Sequence, residues 1–438
     1  MDNAMLYAEK LAQLIREKTV SSYDETDITR FCKFHDVLKA QFPQVFAVCK
    51  VENFNGSLLI KWSGKNSDHP IMFMNHHDVV EAGGEWQYPP FSGEIADGRI
   101  WGRGTLDTKG GLFCMLQAAE ELMEIGFIPE HDIYFESACT EECSGAGAEK
   151  IAQELENRGI YFDWILDEGG MILYDPIGMS DGYFAMIATC EKGCADIKFS
   201  AKSNGGHASR PPKNSPIVRL SKFCCAVEKS HIFKRKLSIT AKEMLRRMSL
   251  KMKQPLKTVL GHPNFFGGLL KLALPLVSSS GDAMMRTTIA FTMSGGAECT
   301  NSLPEEAFVV GNMRFSHHQG FEKSLDALKK IAKKYDVEVT VMDPGVETHE
   351  ADYRNEAFKT MEHAVKAVFD GVVPSPYIAM SASDNRYMSR ISDNCFGFTP
   401  FTVSDEQLDS IHGLNENLDI DCLPKAVEFY KILMKGGI

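Results

Sequence analysis

Histidine and acidic side chains of this chain stand at spacings that suit metal binding. His76 and Asp78 follow the apolar run IMFMN, where a strand is expected to end. In an extended chain, His-x-Asp puts both side chains on one side, so the carboxylate can accept one ring N–H while the other ring nitrogen binds a metal. An ordinary polar strand end would have the same sequence.

Three more carboxylates occur beside glycines or after a strand-like run. Asp107 lies in GRGTLDTKGG directly before a predicted helix, so it is either a ligand or the N-cap of that helix. Glu141 and Glu142 follow the run IYFESACT. Adjacent carboxylates repel each other unless a cation or a proton lies between them, and a solvated loop pair is the alternative.

Two further segments complete the set. Asp167 and Glu168 end the run WILDE, and His412 stands alone in DSIHGLNE, where a structural role is the alternative. Because every segment falls at a strand end or loop of one proposed sheet, their joint order predicts a dinuclear zinc centre. The predicted ligands are His76 and one of the 167/168 pair on one ion, Glu142 and His412 on the other, and Asp107 between them. Glu141 is left as the general base.

The overall composition excludes several classes of protein. The 438 residues are 44% hydrophobic and 24% charged, which is typical of a folded globular chain of about two domains. A net charge of -12 disfavours nucleic acid as a partner. Neither a span-length apolar run nor a signal-like N-terminus is present, and the cysteines form no paired CxxC motifs. We therefore expect a cytoplasmic enzyme with reduced thiols and no membrane partner.

The chain order of apolar runs indicates how the candidate residues are positioned. The runs SLLIKW, IMFM, IYFESA and WILD alternate with helical patterns at 110–126 and 146–158. This alternation predicts an α/β domain with a mixed, largely parallel sheet and helices on both faces.

A second, smaller domain is predicted inside the first. From about residue 190 the patterns follow the order β-α-β-β-α-β of a ferredoxin-like unit. We predict a discontinuous catalytic domain at 1–190 and 345–438, and an inserted lid or dimerisation domain at 191–344. Residues 229–280 exceed an ordinary connection and predict a helical insertion. Its run FFGGLLKLALPLV suits a buried helix, a subunit contact or the wall of a pocket for an acyl group.

The motifs together resemble the aminoacylase and carboxypeptidase G family of dinuclear zinc metallopeptidases over nearly the whole chain. The matching segments are HHDVV, GRGTLDTKGG, TEEC, LDEGG and IHGLNE. Within that family, LDEGG, SDNRY and IHGLNE are most similar to the branch of carboxypeptidase S-like enzymes and N-acyl amino acid hydrolases. The resemblance implies two Zn²⁺ ions per chain, replaceable by Co²⁺ or Mn²⁺, and a cis peptide bond after Asp107. Family members differ in the fourth ligand; we prefer Asp167 and keep Glu168 as the alternative.

The resemblance also implies residues that act on the substrate. His207, in GGHAS, corresponds to a family histidine that stabilises the oxyanion, usually in the active site of a partner subunit, so a homodimer is implied. Asn301 would help to hold the carbonyl, and Arg314 could bind a substrate carboxylate through its planar guanidinium. Asp384 and Arg386 in SDNRY either form a wall of the pocket or order the start of a helix.

The predicted activity is hydrolysis of an amide bond next to a residue with a free carboxylate. The substrate would be a small peptide or an N-acyl amino acid, as for a carboxypeptidase, dipeptidase or aminoacylase. The alternative is an inactive family member that acts as a metal-containing binding or regulatory protein.

Overall fold

The computed structural model describes residues 3–22 and 27–437. Its strands lie in four sheets. In chain order they are β1 (Lys50–Phe54), β2 (Ser57–Trp62), β3 (Asn66–Met74), β4 (Glu94–Ala96), β5 (Arg99–Trp101), β6 (His131–Ser137), β7 (Trp164–Tyr174), β8 (Tyr183–Glu191), β9 (Gly193–Lys202), β10 (Gly206–His207), β11 (Thr288–Gly295), β12 (Ser302–Leu303), β13 (Glu306–Phe315), β14 (Glu338–Asp343), β15 (Val373–Ala379), β16 (Cys395–Val403) and β17 (Asn417–Asp419).

The helices cover both faces of the largest sheet and one face of the second. They are α1 (Asn3–Arg16), α2 (Thr29–Gln41), α3 (Pro43–Val48), α4 (Lys109–Glu124), α5 (Gly147–Asn157), α6 (Pro216–Glu228), α7 (Ile239–Met248), α8 (Leu256–Gly261), α9 (Pro263–Val277), α10 (Ser279–Met285), α11 (Gly320–Ala332), α12 (Glu356–Val368), α13 (Asn385–Met388), α14 (Asp405–Ser410) and α15 (Cys422–Met434). No described helix is long and apolar enough to cross a membrane.

The largest sheet has eight strands in the order β1-β2-β6-β3-β7-β16-β8-β15. Its central pairs β6–β3, β3–β7 and β7–β16 are parallel, and β1, β2 and β8 bring in antiparallel pairs. Alternate residues of β2 enter different cores: Leu58 and Ile60 pack with α1, α4 and α15, and Leu59 packs with α5. Because both faces are covered, the consecutive residues Leu58, Leu59 and Ile60 are all apolar. The predicted mixed, largely parallel sheet is confirmed.

The second sheet has four antiparallel strands in the order β11-β13-β9-β14. Helices α6 and α11 pack on it, and its core is separate from those of the large sheet. The chain order is therefore the β-α-β-β-α-β predicted for the inserted unit. Strand β8 ends at Glu191 in the large sheet and β9 begins at Gly193 in the small one, while the domain limits at 190 and 345 stay a prediction.

The residues predicted as a helical insertion hold α7, α8, α9 and the start of α10. The helices of this insertion pack on the edge of the large sheet. Their buried residues Met244, Leu245 and Met248 share a core with Phe184 of β8 and Ile378 of β15. The insertion therefore lies beside the strand ends that carry the predicted ligands.

Candidate active site

The loops that carry the predicted ligands meet at one edge of the large sheet. Pairing of β3 with β6 continues past the strand ends, because Asn75 N donates to Glu136 O (3.2 Å) and His77 N donates to Ala138 O (2.8 Å). This brings His76 next to the loop that holds Glu141 and Glu142. Carboxyl ends of parallel strands form ligand-binding edges in such sheets.

Asp107 lies between the two predicted histidines. Its Oδ1 is 2.9 Å from Nε2 of His76, and its Oδ2 is 3.0 Å from Nε2 of His412. Nε2 of His412 is also 2.9 Å from Oε2 of Glu142. The peptide bond between Asp107 and Thr108 is cis, as the resemblance implied. Asp107 thus presents one carboxylate oxygen to each half of the cluster.

Glu168 and Glu141 complete the cluster on the His76 side. Oε1 of Glu168 lies 3.6 Å from Nε2 of His76. Donor atoms of His76, Glu141 and Glu168 all lie within 4.8 Å of one another, as do those of His76, Asp107 and Glu142. The two sets share His76.

Asp167 points away from the cluster. Its Oδ2 accepts hydrogen bonds from Ser383 Oγ and from the backbone N–H of Asn385, each at 2.9 Å, and Oδ1 accepts from the N–H of Glu168 at 2.8 Å. The side chain is buried and positions the 383–385 loop. The geometry therefore favours Glu168 over Asp167 as a ligand, which is the reverse of our preference from the sequence. Neighbouring strand residues face opposite sides, so only one of the two can face the cluster.

Asp78 supports the cluster without entering it. Its carboxylate accepts hydrogen bonds from Ser21 Oγ (2.6 Å) and from the N–H groups of Glu141 (3.2 Å) and Glu142 (3.1 Å). Nδ1 of His76 lies 3.0 Å from the Asp78 carbonyl oxygen and 3.4 Å from its Oδ1. Both are acceptors, so Nδ1 donates to Asp78, and Nε2 is the ring nitrogen that faces the cluster.

Glu416 is a positioning residue that the sequence analysis missed. It is fully buried, and its carboxylate pairs with Arg103 (2.6 Å) and accepts hydrogen bonds from the N–H groups of Gly104 (3.1 Å), Leu106 (2.8 Å) and Asp107 (3.2 Å). It therefore fixes the loop that presents Asp107. The available signal was the final Glu of IHGLNE, four residues after His412.

The pKa values of three glutamates and of both histidines in the cluster are all raised. Burial raises the pKa values of Glu141, Glu142 and Glu168 above their ordinary range, and nearby carboxylates add to the effect. Hydrogen bonds to Asp107 and Glu142 raise the pKa of His412 to about 10. Burial lowers the pKa of His76, but its bonds to Asp107 and Asp78 outweigh burial and raise the pKa well above its usual value. Carboxylates and imidazoles so close together call for added positive charge.

The donor set fits divalent cations. Several carboxylates and two imidazoles converge in a buried site, and these are the ligand types that zinc and related metals prefer. Within the described residues, Oε1 of Glu142 is buried and has no hydrogen-bond partner. A cation would satisfy that oxygen and relieve the repulsion between the carboxylates.

The residues predicted to bind the substrate are not brought to the cluster. His207 and Asn301 are exposed in the small two-stranded sheet region, where Ala208 N donates to Asn301 O (3.0 Å). Arg314 lies on β13, and its Nε donates to Oδ1 of Asn312 (3.0 Å). None of these lines the cavity at the cluster in the described part of the chain.

Asp384 and Arg386 do not line the cavity. Asp384 is buried, and burial raises its pKa to about 7. Neither of its carboxylate oxygens has a hydrogen-bond partner among the described residues. Arg386 stacks on the ring of Tyr387, with its guanidinium 4.7 Å from the ring centre. Ser383 is the member of this segment that reaches the cavity.

One cavity of about 790 Å³ joins the cluster to an apolar chamber. Its polar end is formed by Asp107, Glu141, Glu142, Glu168 and His412. The other end is lined mainly by methionine and aliphatic side chains from β7, β8, β15 and the insertion helices. They include Met171, Leu173, Ile177, Met179, Met186, Met244, Leu245, Met248, Leu274, Met284, Ile378 and Met380. The wall of a pocket was one of three roles predicted for the run FFGGLLKLALPLV, and Leu274 in that run lines this chamber.

The chain is similar to known proteins over nearly its whole length. The family described as peptidase family M20/M25/M40 matches residues 72–436. The chain is 31% identical to the N-fatty-acyl-amino acid synthase/hydrolase PM20D1 of Xenopus tropicalis, covering 98% of this chain and 85% of that protein. It is 30% identical to the probable carboxypeptidase S-like 2 of Dictyostelium discoideum, covering 98% and 84%. Its fold matches the M20 family metallo-carboxypeptidase Sso-CP2 from Sulfolobus solfataricus with a TM-score of 0.73, 18% identity and 99% of each chain covered.

Proposed function

The chain belongs to peptidase family M20/M25/M40 and is a hydrolytic metallopeptidase, and we propose that it cleaves N-acyl amino acids with a long apolar acyl group. The observation that carries this proposal is the single cavity with a metal-binding cluster at one end and an apolar chamber at the other. One relative is named for N-fatty-acyl-amino acids, which agrees with such a chamber.

We propose that the cluster holds two Zn²⁺ ions, or Co²⁺ or Mn²⁺ in their place. His76 and Glu168 would hold one ion, Glu142 and His412 the other, and Asp107 would bridge them. The support is the arrangement of their donor atoms, with one Asp107 oxygen facing each histidine. Asp167 takes no ligand role in this proposal.

Glu141 is the proposed general base. It lines the cavity beside the cluster, and its N–H is held by Asp78, which fixes the loop but leaves the carboxylate facing the cavity. When bound, divalent ions would supply positive charge that keeps the neighbouring carboxylates ionised and would polarise the substrate carbonyl. Glu141 then accepts a proton from the attacking water and delivers it to the leaving nitrogen.

The apolar chamber would hold the acyl chain. Burying each methylene of such a chain contributes about 0.8 kcal/mol, so a chamber of this size discriminates strongly between short and long acyl groups. A peptide substrate would place polar amides against methionine and leucine side chains, which leaves buried amides without partners. The chamber therefore favours an acyl group over a second amino acid.

The part of the site that would hold the amino acid of the substrate is less complete than the chamber. Asn301, Arg314 and His207 lie outside the cavity of this chain, so we propose, as the resemblance implied, that His207 acts in the site of a second copy. Asp384 and Arg386 would support the residues that form the cavity wall. The homodimer and the cytoplasmic location both remain proposals.

The test is a series of substrates that differ only in acyl length. N-acetyl, N-hexanoyl and N-dodecanoyl derivatives of one amino acid, and a dipeptide, are assayed with metal-free protein and after adding zinc, cobalt or manganese. We expect activity only with metal, and kcat/KM should rise with acyl length through a lower KM. Equal rates on all acyl lengths, or a preference for the dipeptide, would overturn the proposed substrate class.

A further inference from the structure

Helix α9 has an exposed apolar face that the proposed reaction does not use. Its four large exposed side chains recur at spacings of four, three and four residues, which puts them on one side of the helix. They are Phe265 (83% exposed), Leu269 (53%), Leu272 (70%) and Leu276 (85%), called here the α9 stripe. Contiguous exposed apolar surface of this kind marks a binding site for a partner or a membrane.

The opposite face of the same helix belongs to the chamber. Leu270 and Leu274 are buried in the core that the insertion shares with β8 and β15, and Leu274 lines the cavity that leads to the cluster. One helix therefore separates the chamber from the surface on which the α9 stripe lies.

Cationic side chains lie next to the stripe. A second cavity, of about 1040 Å³, is bounded by Lys271 and Leu272 of α9 and by Lys234, Arg235 and Arg286. Asp282, which bonds to both arginines, and Glu228 in the cavity wall do not balance these cations. This cationic cleft therefore has net positive charge and shares Leu272 with the stripe.

Exposed leucines are also followed by lysines elsewhere in the insertion. Exposed Leu250 precedes exposed Lys251, and exposed Leu256 precedes exposed Lys257. Residues 229–257 hold ten Lys or Arg and one acidic residue in a chain whose net charge is -12. Exposed leucines beside lysines are typical of helices that lie in the surface of an anionic membrane.

We propose that the α9 stripe and the cationic cleft dock this protein onto the surface of a membrane that contains anionic lipids. The stripe side chains enter the outer acyl layer, and the lysines contact lipid phosphates. A second copy of the chain fits the α9 stripe less well. Pairing across a two-fold axis would place the cationic clefts of the two copies near each other, where they would repel. Docking is separate from hydrolysis, but its use in taking an acylated substrate into the chamber rests on the proposed function.

The test measures co-sedimentation of the full-length chain with vesicles at low and high salt. One set of vesicles is pure phosphatidylcholine, and the other holds equal parts of phosphatidylcholine and phosphatidylglycerol. We expect binding to the anionic vesicles that weakens with salt. The variant Phe265→Ser/Leu272→Ser/Leu276→Ser should bind them at least about tenfold more weakly. Lys234→Gln/Lys271→Gln should weaken binding to the anionic vesicles and flatten its salt dependence.

The matched control is Ile125→Ser, which removes a similarly exposed apolar side chain (74%) just after α4. It should bind as the unchanged protein does, and thermal unfolding checks that all variants fold. The proposal is overturned if the wild-type chain does not bind anionic vesicles. It is also overturned if the triple variant loses self-association in sedimentation velocity but keeps vesicle binding. Hydrolysis of a soluble N-acetyl amino acid by the wild type is measured separately, so failure of docking and failure of the proposed function are distinguished.

Discussion

The two ends of the cavity are built in different ways. At the cluster, side chains are fixed by charged or backbone hydrogen bonds: Glu416 holds the Asp107 loop, and Asp78 holds His76 and the Glu141–Glu142 loop. At the chamber, the lining side chains are mostly methionine and leucine, held by packing alone. Hydrogen bonds fix the distance between donor and acceptor atoms to within a few tenths of an ångström. A methionine side chain, in contrast, adapts to the shape of what it contacts.

This difference separates reaction from selection. In the proposed function, the cluster end, formed by loops of the large sheet, would carry out hydrolysis of the amide. The chamber end, lined by residues of β7, β8, β15 and the insertion helices, would select the acyl group. Changes at the first end should lower the rate for every substrate, and changes at the second should alter the ranking of substrates.

The largest effect is expected for Glu141→Gln. Removing the proposed base should lower kcat by more than about a thousandfold for all acyl lengths, with two metal ions per chain retained. Metal content is measured by elemental analysis, and kcat by hydrolysis of N-acetyl and N-dodecanoyl substrates. Glu149→Gln, on the exposed side of α5, is the control and should be fully active. If Glu141→Gln keeps its activity, the base lies elsewhere.

A smaller effect should distinguish Glu168 from its neighbour Asp167. Glu168→Gln removes a proposed ligand, so we expect metal affinity to fall by roughly a hundredfold and activity to fall with it at limiting zinc. Asp167→Asn keeps the ligands and loosens only the 383–385 loop, so affinity should fall about tenfold or less. Titration of the metal-free proteins with zinc gives both numbers. The reverse order would restore Asp167 as the ligand.

The sequence signals of the cluster end are local, and the structure brings the segments that carry them together. Each ligand lies in a short motif after an apolar run, and the α/β alternation brings strand ends to one edge. The choice between Asp167 and Glu168 could not be made from the sequence, because side-chain direction depends on where β7 bends and which loop meets it. The geometry favours Glu168, and the ligand role of either residue stays a prediction. Glu416 was missed because its partners lie more than 300 residues away in the chain.

The chamber end could not be predicted in the same way. Residues 229–280 were identified as an insertion by length alone, and FFGGLLKLALPLV suits a core, a contact or a pocket equally well. Only packing shows that Leu274 lines the chamber while Leu272 and Leu276 face outward. The absence of a span-length apolar run bears only on crossing a membrane. It does not test whether an exposed apolar face beside lysines docks on a membrane surface.

The smallest change, Met248→Trp, tests the chamber directly. Met248 is buried on α7 and lines the cavity, so an indole there should fill space that a long acyl chain needs. We expect kcat/KM for the N-dodecanoyl substrate to fall about tenfold, as overpacking a filled pocket costs about 1–3 kcal/mol, with the N-acetyl rate unchanged.

The matched control is Met252→Trp, because Met252 belongs to the same core as Met248 but does not line the cavity. Both variants should lower the unfolding temperature by similar amounts, since both add volume to one packed insertion. Only Met248→Trp should change the ratio of N-dodecanoyl to N-acetyl rates. An equal loss on both substrates in Met248→Trp would mean that the chamber shapes the cluster as well, and that the two ends of the cavity do not act separately.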